Sequence, residues 1–150
     1  MTNPDTHAPV FWRKGPRIIL RPLETDDIDI IYRGINHPDV QQFLAAHQPM
    51  GIEFEKEWIK NCQKPKSSEV VVAICLHDGT LIGTMGLHHI DLLHGTAVTG
   101  AAIFSEAHQN KGYGTEAKML LLDYAFNWLG LHKVQSKVIA FNQRSAAYSK

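Results

Sequence analysis

The feature that most constrains this chain is a long amphipathic helix pattern directly behind a glycine-containing loop. Between residues 115 and 129, apolar side chains recur at helical spacing: Ala117, Leu120, Leu121, Tyr124, Ala125 and Trp128. That spacing places them on one helix face, which we expect to pack against a sheet rather than bind a partner. Gly130 is placed to end the helix. The loop Gln109–Gly114 (QNKGYG) leads straight into its first turn.

Strand patterns lie on both sides of this loop. Val70–Leu76 is a continuous apolar run typical of a buried strand. Asp78-Gly79 predicts a hairpin turn into a returning strand over Leu81–Ile90. A turn over Asp91–Gly95 leads to a third strand, Thr96–Phe104. Two glycines in the second strand, Gly83 and Gly86, indicate a twist or bulge.

The remaining patterns complete a mixed architecture. They are a strand Arg17–Leu20 ended by Pro22, a helix Asp27–Arg33 capped by Thr25 and Asp26, one or two helical turns in Asp39–Leu44, a helix Glu53–Gln63, a strand Val134–Phe141, and a helix from Gln143 capped by Asn142. Helices come first, then an antiparallel meander, then a β-loop-α-β-α unit. This order predicts an α/β (α+β) fold built on a mixed sheet.

Composition excludes several classes of protein. The 150 residues have a formal net charge of +0, which provides no general attraction to nucleic acid or to an anionic membrane. The apolar runs are too short to span a bilayer, and a signal-peptide pattern is absent. Two cysteines, Cys62 and Cys75, form no disulfide framework. We expect a cytoplasmic protein, with an irregular arm over residues 1–16 and one domain over 17–150.

The glycine loop has the chemistry of an anion site. Gly112 and Gly114 lack a Cβ, so the backbone can approach a ligand closely. The first amides of the helix have no partner within the helix, and the helix dipole favours an anion there. Lys111 adds a cation nearby. The alternative is a tight turn whose glycines serve geometry alone. A Walker A site is excluded because no Gly-Lys-Ser/Thr ends the loop.

Several motifs in order resemble the GNAT family of N-acetyltransferases. Gln109–Gly114 resembles the family signature Q/R-x-x-G-x-G/A. The other similar segments are Leu81–Leu87, Gly112–Phe126, Leu129–Val134 and Asn142–Tyr148, together with Leu20–Leu23 and the following Asp26-Asp27, which resemble the Rim-type ribosomal-protein and spermidine acetyltransferase branch. The resemblance covers residues 17–150 and implies the mixed GNAT sheet, without the last strands of that family.

The resemblance implies acetyl-CoA as co-substrate, with no metal. Acetyl-CoA would lie in the gap between the parallel strands Thr96–Phe104 and Val134–Phe141, its pantetheine arm pairing with the first strand as an added strand. The residues implied in its binding are Ile103, Phe104, Gln109, Asn110, Lys111, Gly112, Tyr113, Gly114, Thr115, Asn142 and Ser145. The implied reaction is direct attack of an amine on the thioester. The acceptor is a protein N-terminus, a polyamine, an amino sugar or another small amine.

The catalytic residues follow the family pattern only in part. Tyr148 occupies the position of the tyrosine that commonly protonates the departing thiolate. The usual glutamate base is replaced by Val98, which supports a rival function, a non-catalytic acyl-CoA-binding module. His88 and His89 are therefore candidates for relaying the proton of the amine. They form a group with Asp91 and His94, for which a metal site is the alternative.

The chain stops at Lys150, before two further strands that the family pairs with the strand over Val134–Phe141. An unpaired strand edge is a template for another chain. We therefore expect self-association through this edge, or pairing with a separate polypeptide.

Overall fold

The computed structural model describes residues 10–38, 48–104, 108 and 111–136. Within them, six strands form one sheet in the order β1-β2-β3-β4-β5-β6. The elements in chain order are β1 (Arg13–Lys14), β2 (Ile18–Pro22), a 3₁₀ turn (Thr25–Asp27), α1 (Ile28–Asn36), α2 (Ile52–Gln63), β3 (Val70–Leu76), β4 (Leu81–Asp91), β5 (Thr96–Ile103), α3 (Tyr113–Asp123), a π-helical turn (Tyr124–Trp128) and β6 (Lys133–Ser136). No helix in these ranges is both long and apolar enough to cross a membrane.

The strand pairing confirms the predicted mixed sheet. From β1 to β5 each strand pairs antiparallel with the next. β6 returns after α3 and pairs parallel with β5, from Thr96 opposite Lys133 to Thr99 opposite Ser136. The predicted turn between β3 and β4 is present, with Gly79 at a φ of +96°. A β-loop-α-β unit therefore follows an antiparallel meander.

Helices cover both faces of the sheet. One apolar cluster joins α3 to one face and contains Ile18, Leu20 and Leu121. A second cluster joins α1 and α2 to the other face through Ile19, Ile31 and Ile59, among others. Because both faces are covered, the first three residues of β2, Ile18 to Leu20, are all buried and apolar. We call these the α3 face and the α1/α2 face.

The start of α1 differs from the prediction. The capping residue of the 3₁₀ turn is Glu24, which forms a capping box with Asp27, so Thr25 and Asp26 are not the caps. Asp27 accepts a hydrogen bond from the Glu24 amide at 2.8 Å and a bidentate pair from Arg21 at 2.8 and 2.7 Å. This largely buried pair joins β2 to the start of α1, because Asp27 directly precedes α1 and its carboxylate accepts from Arg21 of β2.

The predicted irregularity of β4 is present beside Gly83. Ile74 pairs with Gly83 and Cys75 with Leu81, so the extra residue of this register shift directly precedes Gly83. Gly83 also permits close approach of β5, because a Cβ there would collide with the Ala102 carbonyl oxygen. A second register shift lies between His88 and Asp91, where His89 has a φ of +52°, and the glycines did not predict it.

The long helix is present but changes type near its end. Residues Tyr124–Trp128 form a π-helical turn, closed by a hydrogen bond of 3.1 Å from the Leu129 amide to the Tyr124 carbonyl. Gly130 follows with a φ of +70°, as a helix terminator should. Trp128 was predicted on the packing face but is 72% exposed. The wider turn rotates this residue away from the sheet.

The N-terminal segment contains a short strand that the sequence did not predict. β1 pairs with β2, and the Trp12 amide donates to the Leu20 carbonyl at 2.7 Å. The Trp12 ring meets the Tyr124 ring edge-on, 4.7 Å between centroids. The predicted turns in Asp39–Leu44, the predicted strand beyond Ser136, with the edge expected to associate, and the helix from Gln143 lie outside the described residues.

Replacement of Gly83 should destabilise the fold. A Cβ in Gly83→Ala would meet the backbone of β5, which cannot rotate away, so we expect the free energy of unfolding to fall by about 2 kcal/mol. Urea denaturation measures the change. Gly51→Ala is the matched control, because a Cβ at Gly51 meets nothing within 4 Å. Equal stability of the two variants would contradict the packing described for Gly83.

Candidate active site

The glycine loop and the start of α3 contain a run of backbone amides in which Gly112 and Thr115 are exposed and Gly114 is buried. Gly112 precedes the helix with a φ of +82°, a conformation that favours glycine. The first hydrogen bond of the helix runs from the Glu116 amide to the Gly112 carbonyl at 3.0 Å. The amides of residues 112–115 therefore precede the helical ladder. Of the residues predicted to bind the co-substrate, Lys111, Gly112, Tyr113, Gly114 and Thr115 lie in this loop and first helical turn, while Gln109 and Asn110 lie outside the described residues.

Glu116 and Arg17 anchor this loop, and the sequence analysis missed both residues. The Glu116 carboxylate accepts from the Arg17 amide at 2.9 Å, the Ile18 amide at 3.0 Å and the Arg17 Nε at 2.9 Å. The Arg17 guanidinium also donates to the Lys111 carbonyl at 2.7 Å and lies 4.7 Å from the centre of the Tyr113 ring. The start of β2 thus holds the loop and the first turn of α3 in place.

The electrostatics of Glu116 reflect these contacts. Burial acts to raise the pKa of its carboxyl, but the hydrogen bonds from Arg17 and Ile18 outweigh burial and lower that pKa below its ordinary value. The Glu116 side chain is 14% exposed, whereas its partner Arg17 is 47% exposed, so water partly screens this pair. Glu116 is therefore ionised at neutral pH and complements the N-terminal end of the helix dipole.

The last two amides on the β5 side, those of Ile103 and Phe104, point to opposite edges of the strand. The Phe104 amide donates to the Ile82 carbonyl at 2.8 Å, so it points toward β4. Because successive strand amides point to opposite edges, the Ile103 amide faces the β6 side. The Phe104 side chain is buried against α1, where a Cβ on Gly34 would lie 2.5 Å from its ring. Of the two residues predicted to bind acetyl-CoA here, Ile103 is the one whose amide faces the β6 side.

Three hydrogen-bonded polar side chains connect α3 to Thr99 and Ser136, which pair across β5 and β6. The Lys118 ammonium of α3 donates to the Ser136 hydroxyl at 2.7 Å, and that hydroxyl lies 2.8 Å from the Thr99 hydroxyl. Burial lowers the pKa of Lys118. The helix pattern gave no sign of this residue, because a lysine beside apolar positions usually faces solvent.

The structure divides the predicted histidine group into separate pairs. His88 Nδ1 lies 3.1 Å from Glu69 Oε2, and His94 Nδ1 lies 2.7 Å from Asp91 Oδ2. His89 is exposed at the β4 bulge. Among the described residues, no group of three or more His, Cys, Asp or Glu is arranged to hold a metal ion. The predicted Asn142, Ser145 and Tyr148 lie outside the described residues.

The two cysteines have free thiols with little nucleophilic character. Burial raises the pKa of Cys62 to about 11 and also raises that of Cys75. Both thiols stay protonated at neutral pH, and a thiol is a far weaker nucleophile than a thiolate. Their chemistry therefore does not suggest a covalent acyl-cysteine step.

Comparison with known proteins identifies similar chains. The family described as "Acetyltransferase (GNAT) domain" matches residues 17–150. The "Probable N-acetyltransferase YjcK" of Bacillus subtilis (strain 168) is 32% identical over 138 residues, which cover 86% of this chain and 75% of that protein. The crystal structure of a "Probable acetyltransferase" is similar with a TM-score of 0.80 and 26% identity, covering 91% of this chain and 78% of that one. The Vibrio cholerae spermidine N-acetyltransferase, solved with CoA and spermine, has the same fold, with a TM-score of 0.77 at 23% identity over 89% of this chain and 78% of that chain.

Removal of the Glu116 charge should reduce stability in a pH-dependent manner. The folded-state pKa of this carboxyl is lowered, so its contribution is present above the unfolded-state pKa and is lost as pH falls through the folded-state pKa. Glu116→Gln should lower the free energy of unfolding by about 1–3 kcal/mol at pH 7, and the difference from the wild type should shrink on acidification. Denaturant titrations at several pH values measure this. Glu53→Gln, in an exposed pair with Lys56, is the control and should change little.

Proposed function

The chain belongs to the GNAT family of acetyl-CoA-dependent N-acetyltransferases, as its motifs indicated, and we propose that the amides at the start of α3 bind the CoA pyrophosphate while an amine attacks the thioester from the α1/α2 face. The observation that carries this proposal is the left-handed Gly112 directly before the amides of residues 112–115. Such amides bind phosphate without a large basic patch, which fits the zero net charge of the chain.

The proposed co-substrate site continues from the loop to β5. A backbone edge accepts an extended amide chain as an added strand, so the pantetheine arm would pair with β5 through Ile103. Gln109 and Asn110 would complete the loop, and Asn142 and Ser145 would contact the co-substrate from the other side, as the family resemblance implies. Acetyl-CoA supplies an activated thioester in this site.

The proposed chemistry needs three groups of this chain. The amine nitrogen forms a bond to the thioester carbonyl carbon, and the bond from that carbon to sulfur breaks. An amide near Ala102 or Ile103 would stabilise the charge that develops on the carbonyl oxygen. A base, for which His88 is the candidate, would take the proton of the amine, and Tyr148 would return one to the departing thiolate.

The acceptor is an amine, and we propose a small primary amine or a peptide N-terminus. The spermine bound in the Vibrio cholerae enzyme supports including polyamines. The formal net charge of +0 gives the chain no acidic excess to attract a polycation, which supports testing monoamines and peptides alongside polyamines. We also propose that the protein acts in the cytoplasm, since free thiols suit a reducing compartment.

The rival function is a non-catalytic acyl-CoA-binding module, which the loss of an acidic residue at Val98 favours. Release of CoA thiol from acetyl-CoA separates the two functions. The wild-type chain is incubated with spermine, an alanine-terminated peptide and a simple monoamine. Amine-dependent thiol release supports acetyl transfer. Tight CoA binding by calorimetry without such release with any of the three would contradict it.

Substitution of Gly114 should weaken CoA binding. A branched side chain in Gly114→Val would cover the amides of the first helical turn, and we expect the Kd of CoA to rise about 30-fold, or about 2 kcal/mol. Isothermal calorimetry measures the affinity, and circular dichroism verifies that the variant is folded. Met119→Val is the control, because Met119 is 62% exposed on the same helix. Unchanged affinity in folded Gly114→Val would exclude the loop as the pyrophosphate site.

A further inference from the structure

We propose that Glu69 is the positioning residue for a His88 general base, the two forming a carboxylate–imidazole pair on the α1/α2 face; this rests on the acetyl transfer proposed above. Glu69 immediately precedes β3, and its Oε2 lies 3.1 Å from His88 Nδ1 on β4. Both side chains are about one-third exposed, so they lie at the surface of the site rather than in the core.

The sheet register places His88 where the usual acidic residue is missing. His88 is directly opposite Val98 in the β4–β5 ladder, and opposite residues share a face. The same ladder pairs Gly86 with Gly100 and Thr84 with Ala102. Because Thr84 pairs on its other side with Ala73, which packs with α1 and α2, the whole row lies on the α1/α2 face. A base at His88 therefore replaces one at Val98 from the neighbouring strand.

Two glycines make room for the imidazole beside this row. A Cβ on Gly86 would collide with His88 Nε2 and would lie 2.7 Å from Cε1. A Cβ on Gly100 would lie 3.9 Å from Cδ2. The ring thus lies along the sheet above a pair of residues without side chains. Nε2 extends over Gly86, and the next pair along the face is Thr84 with Ala102, directly before Ile103, whose amide is a proposed donor to the carbonyl oxygen.

The hydrogen bond to Glu69 determines which ring nitrogen can act. A carboxylate only accepts hydrogen bonds, so Nδ1 carries the proton of the neutral ring and Nε2 has the lone pair. In the proposed step, Nε2 takes one proton from the attacking amine as the carbon–nitrogen bond forms. The imidazolium that results is stabilised by the Glu69 carboxylate, which itself stays ionised throughout.

The charges around the pair favour this role. The hydrogen bond with His88 is the main cause that lowers the pKa of Glu69, and Lys66, 3.1 Å from the other oxygen, adds to it. Cys62 of α2, also near Glu69, is neutral because burial raises its pKa to about 11. Glu69 is therefore an anion beside His88, and Lys66 holds its other carboxylate oxygen.

The test compares Glu69→Gln with the wild type. We expect kcat with acetyl-CoA and a responsive amine to fall about tenfold to a hundredfold, with the KM for acetyl-CoA and the calorimetric Kd of CoA unchanged. Nitrogen-15 NMR of His88 supplies a readout apart from activity. The wild type should show a protonated Nδ1, and Glu69→Gln should show a mixture of tautomers, because an amide can either donate or accept.

Two further variants keep the test decisive. Asp91→Asn is the matched control, because it removes the exposed Asp91–His94 pair and should change neither kcat nor the His88 signals. Gly86→Ala displaces the ring while leaving Glu69 intact, and should lower kcat in the same way if Glu69→Gln does not fold. A wild type that turns over while Glu69→Gln keeps its rate within about twofold would overturn the pairing. A wild type with no amine-dependent thiol release would overturn acetyl transfer itself.

Discussion

The three hydrogen bonds accepted by the Glu116 carboxylate hold together the parts of the molecule on which the proposed site depends. They join the first turn of α3 to the start of β2, and Arg17 extends the connection to the Lys111 carbonyl. A glycine-containing loop is otherwise flexible, and an anion site needs amides that are already aligned. The hydrogen bonds that hold these parts together are also the ones that lower the pKa of Glu116.

The two-sided sheet divides the proposed reaction between its faces. α3 covers one face and supplies the amides of the loop, while α1 and α2 flank the other, where His88 lies. Small residues let the parts approach: Gly34 admits the Phe104 ring under α1, and Gly86 admits the imidazole. Co-substrate binding and proton transfer can therefore be altered separately, since different elements carry them.

The proposed base at His88 would move a functional group from β5 to the neighbouring strand of the sheet. Directly opposite residues of antiparallel strands have neighbouring side chains, so a group lost from β5 can be replaced from β4 without changing the fold. The proposed base then needs a partner that orients its ring. Glu69, directly before β3, has a carboxylate oxygen 3.1 Å from His88 Nδ1. The sequence of β5 taken alone would predict a protein that lacks a catalytic base.

Local patterns in the sequence determined the order of the elements from β2 to β6, the hairpin at Asp78-Gly79, the glycine loop and the long helix, because these depend on neighbours within a few residues. Only the tertiary structure decided which distant side chains meet. Glu116 reaches Arg17 across 99 positions, and His88 reaches Glu69 across 19. It also decided the bulge at His89 and the π-helical turn that exposes Trp128. Periodicity describes one face of one element, whereas register and packing between elements set these contacts.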